Sequence, residues 1–301
     1  MKIAIIGLGV MGKNHYRVLQ NIPGVEVAAL CDPVAEDSFA HTLYRDIDKM
    51  LTEVELDAVL IAVPTFLHKE VALQCIEKNL DIFIEKPVAP TVEEGEAILA
   101  AAKEKGVKVA VGYVERFNPV VRALKSELQG KEIYTIAMTR VGPIPPRIAD
   151  VGILTDLAVH DIDLIRFVSG EEITDVSIFK SQKIHNHHED NAILSFQLTG
   201  DKIASITTSW LTPYKKRMME VTAKEALFDA DLMSQDLKEY SAFEATNTFN
   251  AFSTRSCIVR KEEPLLGELT AFVEYVKTGN IGDLATIEDS ITTIRISGGH
   301  F

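Results

Sequence analysis

Short apolar runs recur along the first 112 residues of the chain and alternate with stretches of helical periodicity. The runs lie at residues 2–6, 25–30, 58–63, 82–84 and 107–112, and their length predicts buried strands. Helices are predicted at about residues 11–21, 46–53 and 91–106, with another starting near residue 68. Strands that alternate with helices predict a parallel, doubly wound sheet with right-handed crossovers.

The hydrophobic pattern changes beyond residue 115. A strand is predicted over residues 132–141 and an amphipathic helix over about 153–168. From residue 173 the alternation has a period of two, which predicts a mostly antiparallel sheet. Its strands are predicted at residues 176–178, 192–197, 203–210, 218–222 and 226–229.

The predicted fold class is therefore α/β with two domains. Residues 1–115 are expected to form a doubly wound Rossmann domain that binds a dinucleotide. Residues 116–301 are expected to form an α+β domain with an open, mostly antiparallel sheet, for the substrate and for oligomerisation. A last helix from about residue 286 makes residues 285–301 a candidate segment for packing back on the first domain.

The first predicted strand leads directly into a Gly-x-Gly-x-x-Gly sequence at residues 7–12. In this motif the first glycine permits a tight turn, the second lets the main chain approach a pyrophosphate, and the third lets the next helix pack on the strand. The N-terminus of that helix then faces the phosphates. The expected cofactor contacts are Gly7, Gly9, Val10, Met11 and Gly12.

An acid at the end of the second predicted strand completes the motif. Asp32 lies twenty positions beyond Gly12, where a carboxylate accepts hydrogen bonds from the adenosine ribose. A carboxylate also repels a 2′-phosphate, and Pro33 follows it, with no Arg or Ser there to receive that phosphate. The sequence therefore predicts NAD as the cofactor rather than NADP.

Polar residues follow the other strands of the predicted parallel sheet. Because ligands bind beyond the carboxyl ends of such strands, we expect these residues to line the site. The candidates for the cofactor are Pro64, Thr65, His68, Glu85 and Lys86. The candidates for the substrate are Tyr113, Arg116 and Asn118, and Asn118 also precedes a proline, as an N-cap residue does.

Two groups of residues are candidates for chemistry. Asp156 and His160 are four residues apart on one helix, so their side chains share a face. A histidine can accept a hydroxyl proton near neutral pH, although such pairs are also common as structural contacts. Lys86 could donate a hydrogen bond to a substrate hydroxyl, or it could be a surface lysine, and Pro87 after it indicates a fixed turn with a candidate cis bond. Asp161 and Asp163 are expected to be solvated or capping residues.

The composition excludes several classes of protein. With a formal net charge of −13 the chain is not expected to bind nucleic acid or an anionic membrane. It has no apolar stretch of membrane-spanning length and starts its first strand at residue 2, so we expect a cytoplasmic protein. The cysteines, three in number, are expected to be buried hydrophobes.

Two clusters of like residues have competing interpretations. His185, His187 and His188 lack companion acids or cysteines, so a solvated loop is preferred to a metal site, and no metal is predicted. The basic run 215–217 could bind a diphosphate or lie at the polar edge of a hairpin.

Taken together, these motifs resemble the glucose-fructose oxidoreductase and inositol dehydrogenase family over nearly the whole chain. The resemblance rests on the glycine motif, on Glu85-Lys86-Pro87, and on Asp156 with His160. It implies that Lys86 and His160 serve catalysis, that Asp156 helps to bind the substrate, and that the second domain assembles homodimers or homotetramers. Residues 113–119, which read Tyr-Val-Glu-Arg-Phe-Asn-Pro, look more like the UDP-N-acetylglucosamine 3-dehydrogenases than the inositol dehydrogenases.

The resemblance implies an NAD-dependent dehydrogenase that oxidises a ring hydroxyl, expected to be C3 of a UDP-N-acetylhexosamine. One alternative is a dehydrogenase of a free sugar or polyol, and another is an NAD-dependent glycosidase that oxidises C3 transiently. An alternative of a different class is a dinucleotide-bound sensor without catalysis. The joint presence of Lys86, Asp156 and His160 favours an enzyme over a sensor.

Overall fold

The computed structural model describes residues 1–36, 38–144, 152–185, 187–245 and 250–299, with the side chains of 242–245, 250 and 251 excepted. Its helices are α1 (Val10–Leu19), α2 (Ile47–Glu53), α3 (His68–Glu77), α4 (Val92–Lys105), α5 (Pro119–Glu127), α6 (Val159–Ser169), α7 (Pro264–Thr278) and α8 (Ile287–Ser297). None of the helices in these ranges is long and apolar enough to cross a membrane.

The strands fall into two separate sheets. The first comprises β1 (Lys2–Ile6), β2 (Glu26–Cys31), β3 (Leu43–Tyr44), β4 (Ala58–Ile61), β5 (Asp81–Glu85) and β6 (Val109–Gly112). The second comprises β7 (Ile133–Pro143), β8 (Ile173–Ser181), β9 (Asn191–Leu198), β10 (Lys202–Ser209), β11 (Leu211–Ala223), β12 (Ala226–Asp231), β13 (Asp236–Ala245) and β14 (Asn250–Cys257).

The chain divides into two compact units. Unit 1 contains Met1–Phe117 and Glu263–Ile294, and unit 2 contains Asn118–Glu262 and the chain after Ile294. The predicted boundary at residue 115 lies close to the first division. The predicted second domain extended to the end of the chain, with residues 285–301 as a candidate for packing on the first domain. In the structure α7 and most of α8 belong to unit 1.

Unit 1 contains the predicted doubly wound sheet. Its strands are all parallel, in the order β3-β2-β1-β4-β5-β6. The apolar runs of β1 and β4 are almost completely buried, as expected for strands that are covered on both faces. Sequence analysis missed β3, because two residues are too few to show a period.

Unit 2 contains an eight-stranded sheet in the order β14-β13-β12-β11-β7-β10-β9-β8. All its neighbouring strands are antiparallel except β10 and β7. In β9 the inward side chains of Leu194 and Phe196 are buried, while Ile193 and Ser195, which alternate with them, are exposed. The sheet therefore has one face in the core and one exposed face. β13 and β14 were not predicted.

Candidate functional site

The glycine loop between β1 and α1 has the geometry that its sequence predicts. Gly7 has φ +93°, and a Cβ there would lie 2.6 Å from the backbone of Ala62. A Cβ on Gly12 would lie 1.9 Å from the carbonyl oxygen of Gly7. Both positions therefore require glycine. A Cβ on Gly9 would have no atom within 4 Å, so the main chain is open there to the approach of a ligand.

The N-terminus of α1 is suited to an anion. Gly9 is its N-cap residue and provides no side-chain hydrogen bond, and the first turn carries no acid. Val10 and Met11 are 68% and 36% exposed, so this turn faces open space. The amide groups and the helix dipole can bind a pyrophosphate here. This part of the structure fits the predicted dinucleotide.

Asp32 directly follows β2, and its side chain is hydrogen-bonded to the glycine loop. Leu8 N–H donates to Asp32 Oδ2 over 2.7 Å, and the N–H groups of Val34 and Ala35 donate to Oδ1 over 2.9 and 2.8 Å. Burial raises the pKa of the Asp32 carboxyl, but these donors and the charge of Arg45 lower it by more. The carboxyl is therefore an anion at neutral pH.

Sequence analysis missed Arg45, which lies just after β3. Its Nη1 donates to the carbonyl oxygens of Asp32 and Ala35, over 3.0 and 2.6 Å. Arg45 is not at the position directly after Asp32 that was considered for a 2′-phosphate, and its guanidinium is bound to main-chain oxygens. No local pattern predicts this contact, because thirteen residues separate Arg45 from Asp32.

The strand ends beside the glycine loop carry the other predicted cofactor residues. Pro64 is exposed and Thr65 half-buried at the start of a 3₁₀ turn after β4. Lys86 is half-buried directly after β5, and the peptide bond between Lys86 and Pro87 is cis, as the sequence suggested. The parallel strands thus bring these residues to the same edge of the sheet as Gly9.

Glu85 is held by a histidine that was not predicted. His15 lies on α1, is 0% exposed, and its Nε2 is 2.6 Å from Glu85 Oε1. Its ring also packs edge-on against Phe83. A Cβ on Gly112 would lie 3.3 Å from Glu85 Cδ, so the glycine leaves room for this carboxyl. The pair therefore connects the phosphate-binding helix to the strand that positions Lys86.

His68 is buried, in contrast to the prediction that it contacts the cofactor. The residue is 1% exposed, and its Nδ1 and Nε2 lie 2.9 and 3.0 Å from the carbonyl oxygens of Pro87 and Val63. Burial lowers the pKa of His68, so the ring is neutral near pH 7. Its role is to join the ends of β4 and β5 from inside.

Two predicted substrate residues are internal in unit 1. Tyr113 is 1% exposed, and its hydroxyl lies 3.2 Å from Ser290 Oγ. Arg116 is 5% exposed, with Nη2 3.1 Å from Asp289 Oδ2 and Nη1 donating to Leu284 O. Both side chains are buried against α8 and the residues before it, and their contact with a substrate stays a prediction.

Asn118 is also buried, at 3% exposure, in unit 2. Its Oδ1 accepts a hydrogen bond from Val120 N–H, which confirms it as the N-cap residue of α5. Its Nδ2 donates to Leu232 O over 2.9 Å. The amide therefore has a structural role as a cap, and its contact with a substrate stays a prediction.

Asp156 and His160 lie on consecutive segments of one helical stretch in unit 2. Asp156 is in a π-helical turn, Leu154–Ala158, in which Val159 N–H donates to Leu154 O, and His160 is in the first turn of α6. Such turns occur often at functional sites. Asp156 is 9% exposed and His160 is half-buried.

The start of this π-helical turn is held by the chain before β9. Ile153 N–H donates to the carbonyl oxygen of Glu189, and Leu154 N–H donates to Glu189 Oε1 over 3.3 Å. A Cβ on Gly152 would lie 2.0 Å from the same oxygen. Glycine at 152 therefore makes room for the carboxylate that caps the turn.

Asp161 and Asp163 are buried, so the prediction that they are solvated or capping residues is wrong. Asp161 is 0% exposed and accepts a hydrogen bond from Arg140 Nε over 2.8 Å, and Asp163 is 1% exposed. Arg140 lies on β7 and is itself 3% exposed. This ion pair fixes the helix that carries His160 to the sheet behind it.

The histidine cluster at 185–188 is less solvated than predicted. His185 is 9% exposed and tilted against Trp210, and its Nδ1 accepts hydrogen bonds from the N–H groups of His187 and His188. Asn186 lies outside the described residues. All three cysteines are buried, as predicted, and burial raises the pKa of Cys31 to about 11 and of Cys75 to about 12.

Glu127, Glu239 and Cys257 come together in unit 2 with potential metal-binding atoms within 4.8 Å of one another. Arg255, however, donates to both carboxylates, over 2.7 Å in each case. The guanidinium thus occupies the position that a cation would take. The cluster is an ion-pair network.

Comparison with known proteins agrees with this geometry. Residues 1–113 match the model of an oxidoreductase family with an NAD-binding Rossmann fold, and residues 138–228 match the GFO/IDH/MocA C-terminal domain. The chain belongs to the GFO/IDH/MocA oxidoreductase family. The family model over residues 1–113 is that of an NAD-binding domain, so NAD is the cofactor.

Two curated relatives indicate the range of the family. An inositol 2-dehydrogenase from Arthrobacter sp. (strain FB24) is 33% identical over 191 residues, which are 59% of this chain and 57% of that protein. The chain thus matches little more than half the length of this relative. A UDP-N-acetylglucosamine 3-dehydrogenase from Acidithiobacillus ferrooxidans is 28% identical over 245 residues, which are 80% of this chain and 77% of that protein.

A solved structure of the UDP-N-acetylglucosamine 3-dehydrogenase GnnA from Acidithiobacillus ferrooxidans has the same fold. Its TM-score is 0.91 at 21% identity, over 100% of this chain and 96% of that chain. At this identity the likeness shows a shared fold, and the substrate has to be argued separately.

Proposed function

We propose that the protein is an NAD-dependent dehydrogenase that oxidises a ring hydroxyl of a sugar, namely C3 of a UDP-N-acetylhexosamine. The observation that carries the proposal is the glycine loop. Gly7 and Gly12 are closely packed, whereas the main chain at Gly9 is accessible, and the loop leads into a helix N-terminus without a side-chain cap. The choice of sugar is supported by the UDP-N-acetylglucosamine 3-dehydrogenase, which matches four fifths of the chain.

The residues of the chain have distinct roles in this reaction. Bound NAD supplies the hydride acceptor. His160 takes the hydroxyl proton on a ring nitrogen, and Asp156, at 9% exposure, binds the substrate and helps to orient the imidazole. Lys86 donates a hydrogen bond to a substrate hydroxyl, and its positive charge favours the alkoxide form of that hydroxyl.

The diphosphate part of the substrate requires cations outside this set. Arg116 no longer qualifies, because it is buried and paired with Asp289. Lys216 is exposed and Arg217 half-buried on β11. We assign the diphosphate to the exposed Lys216 of this basic segment, since a protein with a net charge of −13 needs local cations to bind an anion.

A polyol dehydrogenase is the second candidate. It is supported by the inositol 2-dehydrogenase at 33% identity. A dinucleotide-bound sensor would not need a base, so retention of His160 with Lys86 favours the enzymes.

The proposed enzyme is a homodimer or homotetramer. The support for this part is the exposed face of the eight-stranded sheet, where Phe179 pairs with Ile193 across β8 and β9 and both are largely exposed. Exposed apolar pairs on a sheet face are typical of protein interfaces.

The experiment is a kinetic survey of NAD reduction with UDP-sugars, free hexoses and myo-inositol. We expect the highest kcat/KM with a UDP-N-acetylhexosamine, and we expect UDP to compete with it. Changing Lys216 and Arg217 to Ala should raise KM and leave kcat nearly unchanged, the pattern of lost uniform binding. The matched control changes two other exposed lysines to Ala, Lys180 near the end of β8 and Lys183 just after this strand. A higher kcat/KM with myo-inositol would establish the second candidate instead.

A further inference from the structure

The carboxylate of Asp32 has few acceptor sites left for a ligand. A carboxylate offers about four lone-pair sites. Three backbone N–H groups already donate to it, from Leu8 to Oδ2 and from Val34 and Ala35 to Oδ1. About one site therefore remains, on Oδ2, for a hydroxyl of the adenosine ribose.

The three donors belong to two different segments. Leu8 lies inside the glycine loop, between Gly7 and Gly9, whereas Val34 and Ala35 belong to the turn after β2. Since one carboxylate binds both segments, it fixes the loop relative to the turn. Gly7 N–H also donates to Cys31 O over 2.8 Å, so the loop is attached to the end of β2 at two successive residues.

Arg45 holds the turn from its other side. Its Nη1 donates to the carbonyl oxygens of Asp32 and Ala35, which are the first and last residues of the turn. Its neighbour Tyr44 accepts a hydrogen bond from Asp32 N–H through its carbonyl oxygen, over 3.0 Å. Asp32 is thus fixed through its backbone as well as through its carboxylate.

We propose that Asp32 is a positioning residue for the phosphate-binding loop, in addition to its proposed contact with the ribose, and that Arg45 holds it in that position. The open main chain at Gly9 keeps its shape because Leu8 next to it is bound to Asp32. The proposal concerns cofactor binding in unit 1, so it stands or falls independently of the sugar substrate.

Calorimetric titration of two ligands separates the two roles of Asp32. ADP carries the ribose hydroxyls, and 2′,3′-dideoxy-ADP carries the same diphosphate without them. We expect Asp32→Ala to weaken binding of both ligands, with about a tenfold loss for dideoxy-ADP, which is the usual effect of one lost hydrogen bond to a charged group.

A different result is expected if Asp32 binds only the ribose hydroxyls and has no effect on the glycine loop. In that case Asp32→Ala lowers the affinity for ADP alone. The affinity for dideoxy-ADP stays unchanged or rises, because a negative charge near the phosphates has been removed. Either outcome for dideoxy-ADP would overturn the proposal.

The second variant is Arg45→Gln, which changes an exposed side chain that donates only to main-chain oxygens. We expect Arg45→Gln to lower the affinity for dideoxy-ADP by a smaller factor than Asp32→Ala does. The matched controls are Asp48→Ala and Lys49→Gln, which make the same changes of charge at exposed positions of the neighbouring α2. They should leave the affinity for both ligands unchanged.

Amide hydrogen exchange of the ligand-free protein tests the same point without any cofactor. In both Asp32→Ala and Arg45→Gln, peptides that contain residues 7–12 should exchange faster than in the parent protein, with no change in peptides from β4. Unchanged exchange of the glycine loop in both variants would contradict a positioning role.

Discussion

Glu85 and Lys86 are neighbours in the chain, but their side chains have different surroundings. Glu85 is bound to His15, which is completely buried, and so it belongs to the interior of unit 1. Lys86 is half-buried at the edge of the sheet where Gly9 is open. The interior pair fixes the end of β5, and the lysine after it is the residue that can reach a ligand.

The proposed catalytic roles predict a specific kinetic loss. Lys86→Met and His160→Asn should lower kcat by on the order of a hundredfold to ten-thousandfold, because proton transfer and charge stabilisation act in the transition state. Calorimetry should show that both variants still bind NAD with nearly the affinity of the parent protein. Lys78→Met and His187→Asn, at exposed positions, serve as controls with normal turnover. Unchanged kcat in His160→Asn would assign the base to another group.

At the scale of single elements, the helical stretch with Asp156 and His160 is held at two points. Glu189 caps the π-helical turn at its start, and Arg140 on β7 binds Asp161 one residue beyond His160. The stretch is therefore fixed by polar contacts at both points, in addition to its apolar packing. Such contacts define one orientation of the helix, which a reaction requires of its base.

The buried ion pair predicts a large loss of stability when it is broken. Asp161→Ala removes one acid of a buried ion pair with Arg140, a change that typically costs about 3–5 kcal/mol of unfolding free energy. The fluorescence of Trp210, the single tryptophan of the chain, reports the unfolding of unit 2 in denaturant.

Two variants serve as comparisons for that measurement. Lys261→Ala, in an exposed pair with Asp236, should leave the midpoint of the same transition unchanged. Arg140→Met combined with Asp161→Leu should recover most of the lost stability, because neither charge of this pair is then buried. A loss in Asp161→Ala no larger than in Lys261→Ala would mean that the pair does not stabilise the helix.

At the scale of the whole molecule, the exposed sheet face of unit 2 predicts self-association. Phe179→Asp and Ile193→Asp place a charge on this face and should lower the mass measured by light scattering towards that of one 33.3 kDa chain. Ile258→Asp changes an apolar residue that is 89% exposed outside the sheet and should leave the mass unchanged. The proposal of an oligomer through this face fails if all three variants have the mass of the parent protein.

The sequence by itself determined the features that depend on neighbouring residues. The parallel sheet, the caps at Thr91 and Asn118 and the glycine loop were predictable, because periodicity, capping and backbone freedom are set within a few positions. Two-residue β3 was missed because a pattern needs more residues than that.

Only the tertiary structure decided which polar residues are buried. Arg116 was expected to contact the substrate and Asp161 to be a solvated or capping residue, yet both are buried beside the opposite charges of Asp289 and Arg140. Partners such as His15 and Glu85 are 70 residues apart, and no local pattern connects them. A charged side chain can be buried wherever the fold places an opposite charge beside it. Its exposure therefore depends on partners that are distant in the sequence.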